Sequence, residues 1–192
     1  MANADAAFGL RPVRYRSGAP YNGAANRYFV PATDGTAIYV GGLVKLAGAA
    51  DANGIATVTG NVATSEVVVG VVVGVEPVTQ DSTTYRVAST ARYVFVADDP
   101  DLVFIVQEDS VGGALAGTAV GGTADLIGFT AGSISSGRST IEIDSSTATT
   151  GAGDEDVQIL GLWQAPDNEI GTHAVWEVRL LNHMFAGDAA GV

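Results

Sequence analysis

The sequence predicts an all-β fold: a β-sandwich or jelly-roll-like body, or a barrel, with an extended N-terminal arm. Three observations point there. Valines crowd the run Val67–Val75, and β-branched side chains favour strands over helices. The 25 glycines, with clusters of Ala, Ser and Thr, suit tight turns and oppose long helices. Hydrophobic residues make up 47% of the 192 and charged ones 16%, which supports a packed core and argues against global disorder.

The expected division is a basic, extended arm over 1–26 and a β-rich domain over 27–192, with a flexible loop at 145–155. The first thirty residues hold Arg11, Arg14, Arg16 and Arg27 against a single acid, Asp5, although the whole chain is −12. Pro12, Pro20 and the glycines around them predict little structure within the arm itself.

The strands are expected in the following order. Arg27–Val30 is a short strand stopped by Pro31, and after the turn Thr33-Asp34-Gly35 the segment Thr36–Val40 resumes extended structure. Gly41-Gly42 allows a bend before Leu43–Ala47. Asp51-Ala52-Asn53-Gly54 is a strong turn signal, followed by Ile55–Thr59. In Val67–Val75, a period of two puts Val67, Val69, Val71, Val73 and Val75 on one face, with Val68, Gly70, Val72 and Gly74 opposite. Thr83–Ser89 and Arg92–Ala97 follow as strands. The turn Asp98-Asp99-Pro100-Asp101 then predicts a hairpin between Tyr93–Ala97 and Leu102–Val106.

Val111–Gly122 reads as a loop with a helical turn. Ser139–Asp144 alternates, with Ile141 and Ile143 inward. Val157–Trp163 and Ala174–Leu181 complete the fold, and Ala174, Trp176, Val178 and Leu180 share the buried face of the last strand. The total is ten to twelve strands and no long helix.

Reactive side chains are scarce: no cysteine, two histidines and one lysine, Lys45. His173 and His183 flank one expected strand and so lie near its opposite ends, which argues against a shared metal. Neither belongs to a triad signature, and no Gly-x-Ser-x-Gly elbow occurs. Asp98, Asp99 and Asp101, or Asp154, Glu155 and Asp156, could offer oxygens to calcium. Neither run has EF-hand spacing, and solvated acidic turns are the plainer reading. Gly112-Gly113 and Gly121-Gly122 lack the Gly-Lys-Ser/Thr of a phosphate loop. The expectation is no enzyme, no catalytic residue, no cofactor and no metal. An acidic body repels nucleic acid and anionic membranes, so neither is expected as a partner. The opening Met1–Asp5 lacks the basic and apolar regions of a secretory signal. The apolar run Val67–Val75 is far shorter than the roughly 20 residues of a spanning helix, so a soluble protein is expected.

Several stretches resemble the capsid decoration, or cement, proteins of tailed bacteriophages. They are Phe8-Gly9-Leu10-Arg11-Pro12, Tyr39-Val40-Gly41-Gly42-Leu43-Val44-Lys45-Leu46, the Gly70–Val75 strand and Val96–Phe104. The most distinctive is the tail from Gly137-Arg138-Ser139 through Ile143-Asp144-Ser145-Ser146 and Pro166–Thr172 to Val178–His183. The resemblance implies a β-rich protein without catalytic residues, placed on the outer surface of the virion capsid after synthesis in the bacterial cytoplasm. The implied partners are the major capsid protein, whose neighbouring subunits it bridges, and further copies of itself as a homotrimer or homodimer. Arg11, Arg14, Arg16 and Arg27 are the expected capsid contacts. The alternative is a receptor-binding or tail- or fibre-associated β-domain, for which no aromatic-rich recognition tip is found. A carbohydrate-active or hydrolytic enzyme is a more distant rival.

Overall fold

The computed structural model describes residues 3–150 and 153–186 and is all-β. Its strands are β1 (Arg11–Tyr15), β2 (Asn26–Val30), β3 (Leu43–Ala50), β4 (Ala56–Thr59), β5 (Gly70–Val75), β6 (Arg92–Ala97) and β7 (Leu102–Gln107). The short β8 (Thr123–Ala124), β9 (Leu126–Ile127), β10 (Gly132–Ser133), β11 (Arg138–Ser139) and β12 (Glu142–Ile143) follow. The long β13 (Val157–Leu162) and β14 (Val175–Leu180) close the series. Single 3₁₀ turns occupy Gly117–Ala119 and Ser145–Thr147. No helix among the described residues is long and apolar enough to cross a membrane.

Two bodies share the chain. A closed barrel runs β2-β4-β3-β5-β6, and a five-stranded sheet runs β1-β7-β14-β13-β8. The barrel is contiguous in sequence, whereas the sheet takes one strand from before it and four from after it. Tyr28, Val30, Ile38, Val44, Val58, Val69, Val72, Val94 and Val96 fill the barrel. A second core joins the sheet to the barrel's outer wall, with Trp176, Phe104, Ile141, Ile143, Ile159 and Val178 meeting Leu43, Val71 and Ala97. All six residues of β7 are buried, as expected of a strand covered on both faces.

The valine run serves both cores. Val68, Val71 and Val73 pack with the sheet, while Val69, Val72 and Val75 pack inside the barrel. The odd-numbered valines therefore do not share a face, because the alternation is reset twice. One reset is at Gly70, whose φ is +155° and where a Cβ would collide with the Ala97 carbonyl oxygen. The other is a register shift between Val72 and Gly74 against β6. Each glycine lets the next valine turn to the other core.

Three further expectations change. β6 and β7 do not form a hairpin: β6 pairs with β2 and β5, and β7 pairs with β1 and β14. The acidic turn between them carries the chain from barrel to sheet. Asp98 there accepts hydrogen bonds from Tyr28 Oη at 2.6 Å and Asn26 Nδ2 at 3.0 Å, which tie the turn to β2. Thr83–Ser89 is not a strand, and only Arg86 bridges, to Ile38. The arginine itself is the reason. Its guanidinium is fully buried and donates to the carbonyls of Pro31 and Asp34 at 2.8 Å each, Thr36 at 2.5 Å and Thr90 at 2.8 Å. The segment is held by a side chain rather than by a ladder.

The N-terminal segment also differs from an arm without structure. β1 pairs antiparallel with β7, and Leu10 is 2% exposed within the sheet-side core. Asn3 Nδ2 donates to the carbonyls of Glu169 at 2.8 Å and Thr172 at 3.0 Å. Covering the edge of β7 hides its unpaired amides from water and from foreign strands.

Candidate contact surface

Four of the quoted segments, around Phe8–Pro12, Tyr39–Leu46, Gly70–Val75 and Gly137–Ser139, meet at a seam between barrel and sheet. Leu10 N donates to Gly41 O at 2.9 Å, Gly41 N to Val72 O at 2.7 Å and Val72 N to Gly42 O at 2.8 Å. Val40 N donates to Gly137 O at 3.0 Å, and Ser139 N returns a bond to Val40 O at 2.8 Å. Gly41 takes φ +89°, and a Cβ there would lie 2.9 Å from Phe8 O, so only glycine lets these backbones approach. A cleft of about 340 Å³ opens along the seam. Phe8, Leu10, Tyr21 and Val73 line it, with Arg11 and Arg138 among its walls.

The cations of this acidic chain are mostly engaged internally. Arg14 pairs with Glu177 at 2.5 Å and Lys45 with Glu66 at 2.6 Å. Arg27 binds Glu76 through two nitrogens at 2.7 and 3.0 Å and lies 3.5 Å from the centroid of the Tyr93 ring. Arg16 stands 3.6 Å from Asp101, with both side chains mostly exposed. Arg92 donates to the carbonyls of Glu76 and Thr83, and Arg179 to Gln158 Oε1.

Arg11 and Arg138 are different. Among the described residues neither guanidinium has a hydrogen-bonded or carboxylate partner, and Arg11 only stacks on Phe8 at 4.9 Å. Of the four arginines expected as contacts, Arg11 thus lies on the cleft with its charge uncompensated. Arg14 and Arg27 hold internal acids, and Arg16 sits at the Asp101 turn. The four are not brought together, since Arg27 belongs to the barrel. Arg138 was not among them, and its only signal in the sequence is its place in the resembling tail.

The two acidic runs are engaged within the fold. Asp99 Oδ1 accepts from Asp101 N at 2.8 Å. Glu155 accepts from Thr123 Oγ1 at 3.0 Å, and Asp156 accepts from Ser65 N at 2.8 Å and Leu126 N at 2.9 Å. Burial lifts the carboxyls of Asp156 and Glu108 above the usual range. His173 and His183 lie at opposite ends of β14, as the spacing requires. His183 is buried, which lowers its proton affinity, and its Nδ1 accepts from Phe185 N at 3.1 Å.

Comparison with protein-family models, with curated proteins and with solved structures found no match for the chain.

Proposed function

We propose that this chain is a structural protein of a tailed-phage head, which binds the outer face of the major capsid lattice and bridges neighbouring subunits. The observation that carries the reading is the seam. Four of the segments that resemble decoration proteins, distant in sequence, converge there, and the seam presents two uncompensated arginines beside an apolar cleft on a chain of net charge −12. Such a cleft suits an acidic, partly apolar capsid segment. Arg11 and Arg138 supply charge-assisted hydrogen bonds, and Phe8, Leu10 and Tyr21 supply apolar area. Copies set on a symmetric shell, as trimers or dimers, would reinforce one another by raising the local concentration of each next contact.

The test is co-sedimentation of the purified protein with heads that have been stripped of it. The double variant Arg11→Glu, Arg138→Glu should lose at least about tenfold in occupancy while its thermal midpoint falls only slightly, because neither guanidinium has an internal hydrogen-bond or carboxylate partner and only Arg11 gives up a ring contact, with Phe8. Full occupancy by that variant would remove the cleft from the interface. Failure of the unaltered protein to bind any head would remove the proposed function.

A further inference from the structure

Asp5, Glu142 and His173, distant in sequence, each offer one ligand atom, and these atoms lie within 4.8 Å of one another. We propose that they bind one divalent transition-metal ion of the zinc class, which staples the N-terminal segment to the sheet. The frame around them is already built. Gln107, 2% exposed, donates from Nε2 to the carbonyls of Ala4 at 2.7 Å and His173 at 2.8 Å, and accepts from Ala6 N at 2.9 Å through Oε1. One buried amide therefore grips the backbone on both sides of Asp5 and at His173. His173 is held in the left-handed region, φ +58°, with its N–H donating to Ser110 Oγ at 2.8 Å. Glu142 sits on β12, paired with Ile127 of β9, and its neighbour Ile143 accepts from Asp109 N at 3.0 Å.

A second observation points to an occupant. Glu142 Oε1 and His173 Nδ1 are shielded from solvent, and neither has a hydrogen-bond partner. Polar atoms in that position are costly unless something satisfies them. Asp5 Oδ1 lies 3.8 Å from the imidazole Nδ1. One imidazole nitrogen with two carboxylates is a donor set that suits zinc, at bond lengths of about 2.0–2.2 Å, and leaves a position for water or a partner's ligand. Closing around the ion needs a contraction of the order of 1 Å at those bond lengths. Asp5, whose side chain is 72% exposed, is free to supply it.

The experiment is calorimetric titration of the metal-free, full-length protein with Zn²⁺ alone, repeated with Ca²⁺ and with three variants. Glu142→Gln keeps the shape of the side chain, and His173→Asn keeps a residue that tolerates the left-handed backbone. Asp154→Asn controls for acids elsewhere. The expected result is one Zn²⁺ per chain, bound more tightly than Ca²⁺ and raising the thermal midpoint. Affinity should fall at least about tenfold in each of the first two variants and be unchanged in Asp154→Asn. Absence of one-to-one binding, equal affinity in all variants, or preference for Ca²⁺ would overturn the proposal. The metal-free midpoints of the variants show that each is folded, so loss of binding is not loss of fold.

Discussion

The barrel and the sheet solve the same problem with different use of the chain. The barrel closes within residues 26–97, through strands that follow one another and one parallel pairing, Phe29 against Thr57. The sheet is sewn from β1 and from strands after residue 101, so its interior strand β7 is satisfied only when the N-terminal segment docks on one side and β14 on the other. A closed barrel has no edge to protect, whereas an open sheet does, and here β1 forms one edge and covers β7. The difference teaches where the fold depends on distant sequence: in the sheet and at the seam, not inside the barrel.

Arg86→Met offers the strongest way to break that comparison. It removes the fully buried guanidinium that satisfies four carbonyls at the end of the barrel and should cost about 3–5 kcal/mol in urea unfolding. Hydrogen exchange should show the loss in β2 and β6 before β13 and β14. Equal loss everywhere would show that the barrel has no integrity of its own. Leu10→Ala probes the other body. Removing this buried side chain should cost about 2–5 kcal/mol and loosen the amides of β1 and β7 first.

Gly70→Ala acts where the two bodies share a strand. The positive φ and the Ala97 carbonyl together should make it cost about 1–3 kcal/mol, read as a lower urea midpoint with both bodies loosened alike. A loss confined to one body would mean that β5 does not couple them. The smallest effect is electrostatic. Burial raises the Glu108 carboxyl above its ordinary value of 4.5, so the folded state holds that proton more tightly than the unfolded chain. The resulting stability is fully present below pH 4.5 and is lost as pH rises through the elevated value. Between about pH 4 and about pH 7 the protein should therefore lose stability relative to its Glu108→Gln variant. Urea midpoints at the two pH values check this, and a change of opposite sign would contradict it.

Local chemistry was legible in the sequence and pairing was not. Arg92–Ala97 is a strand with the expected bounds, because the apolar alternation before Asp98 leaves no other reading. Ala174, Trp176, Val178 and Leu180 are all buried, as the period of two requires. The hairpin expected across Asp98–Asp101 failed because a good turn sequence says nothing about which strands pair. Here Tyr28 and Asn26 claim Asp98 and send β7 elsewhere. Strict alternation fails in the valine run because two glycines, Gly70 and Gly74, reset it.

The cleft was half visible. Arg11 was expected as a contact, but its isolation depends on where every acid lies, which only the fold reveals. The grouping of Asp5 with Glu142 and His173 was hidden for the same reason, since Gln107 brings together the backbones of Ala4 and His173, which sequence keeps 169 residues apart.

The most direct measurement of the proposed function is a three-dimensional reconstruction of tailed-phage particles prepared with this chain. The account predicts density for the barrel and sheet at a repeating position on the outer lattice, with the Arg11–Arg138 cleft turned toward a capsid subunit. Density for the chain only at the tail or a fibre, or none on the particle, would contradict it.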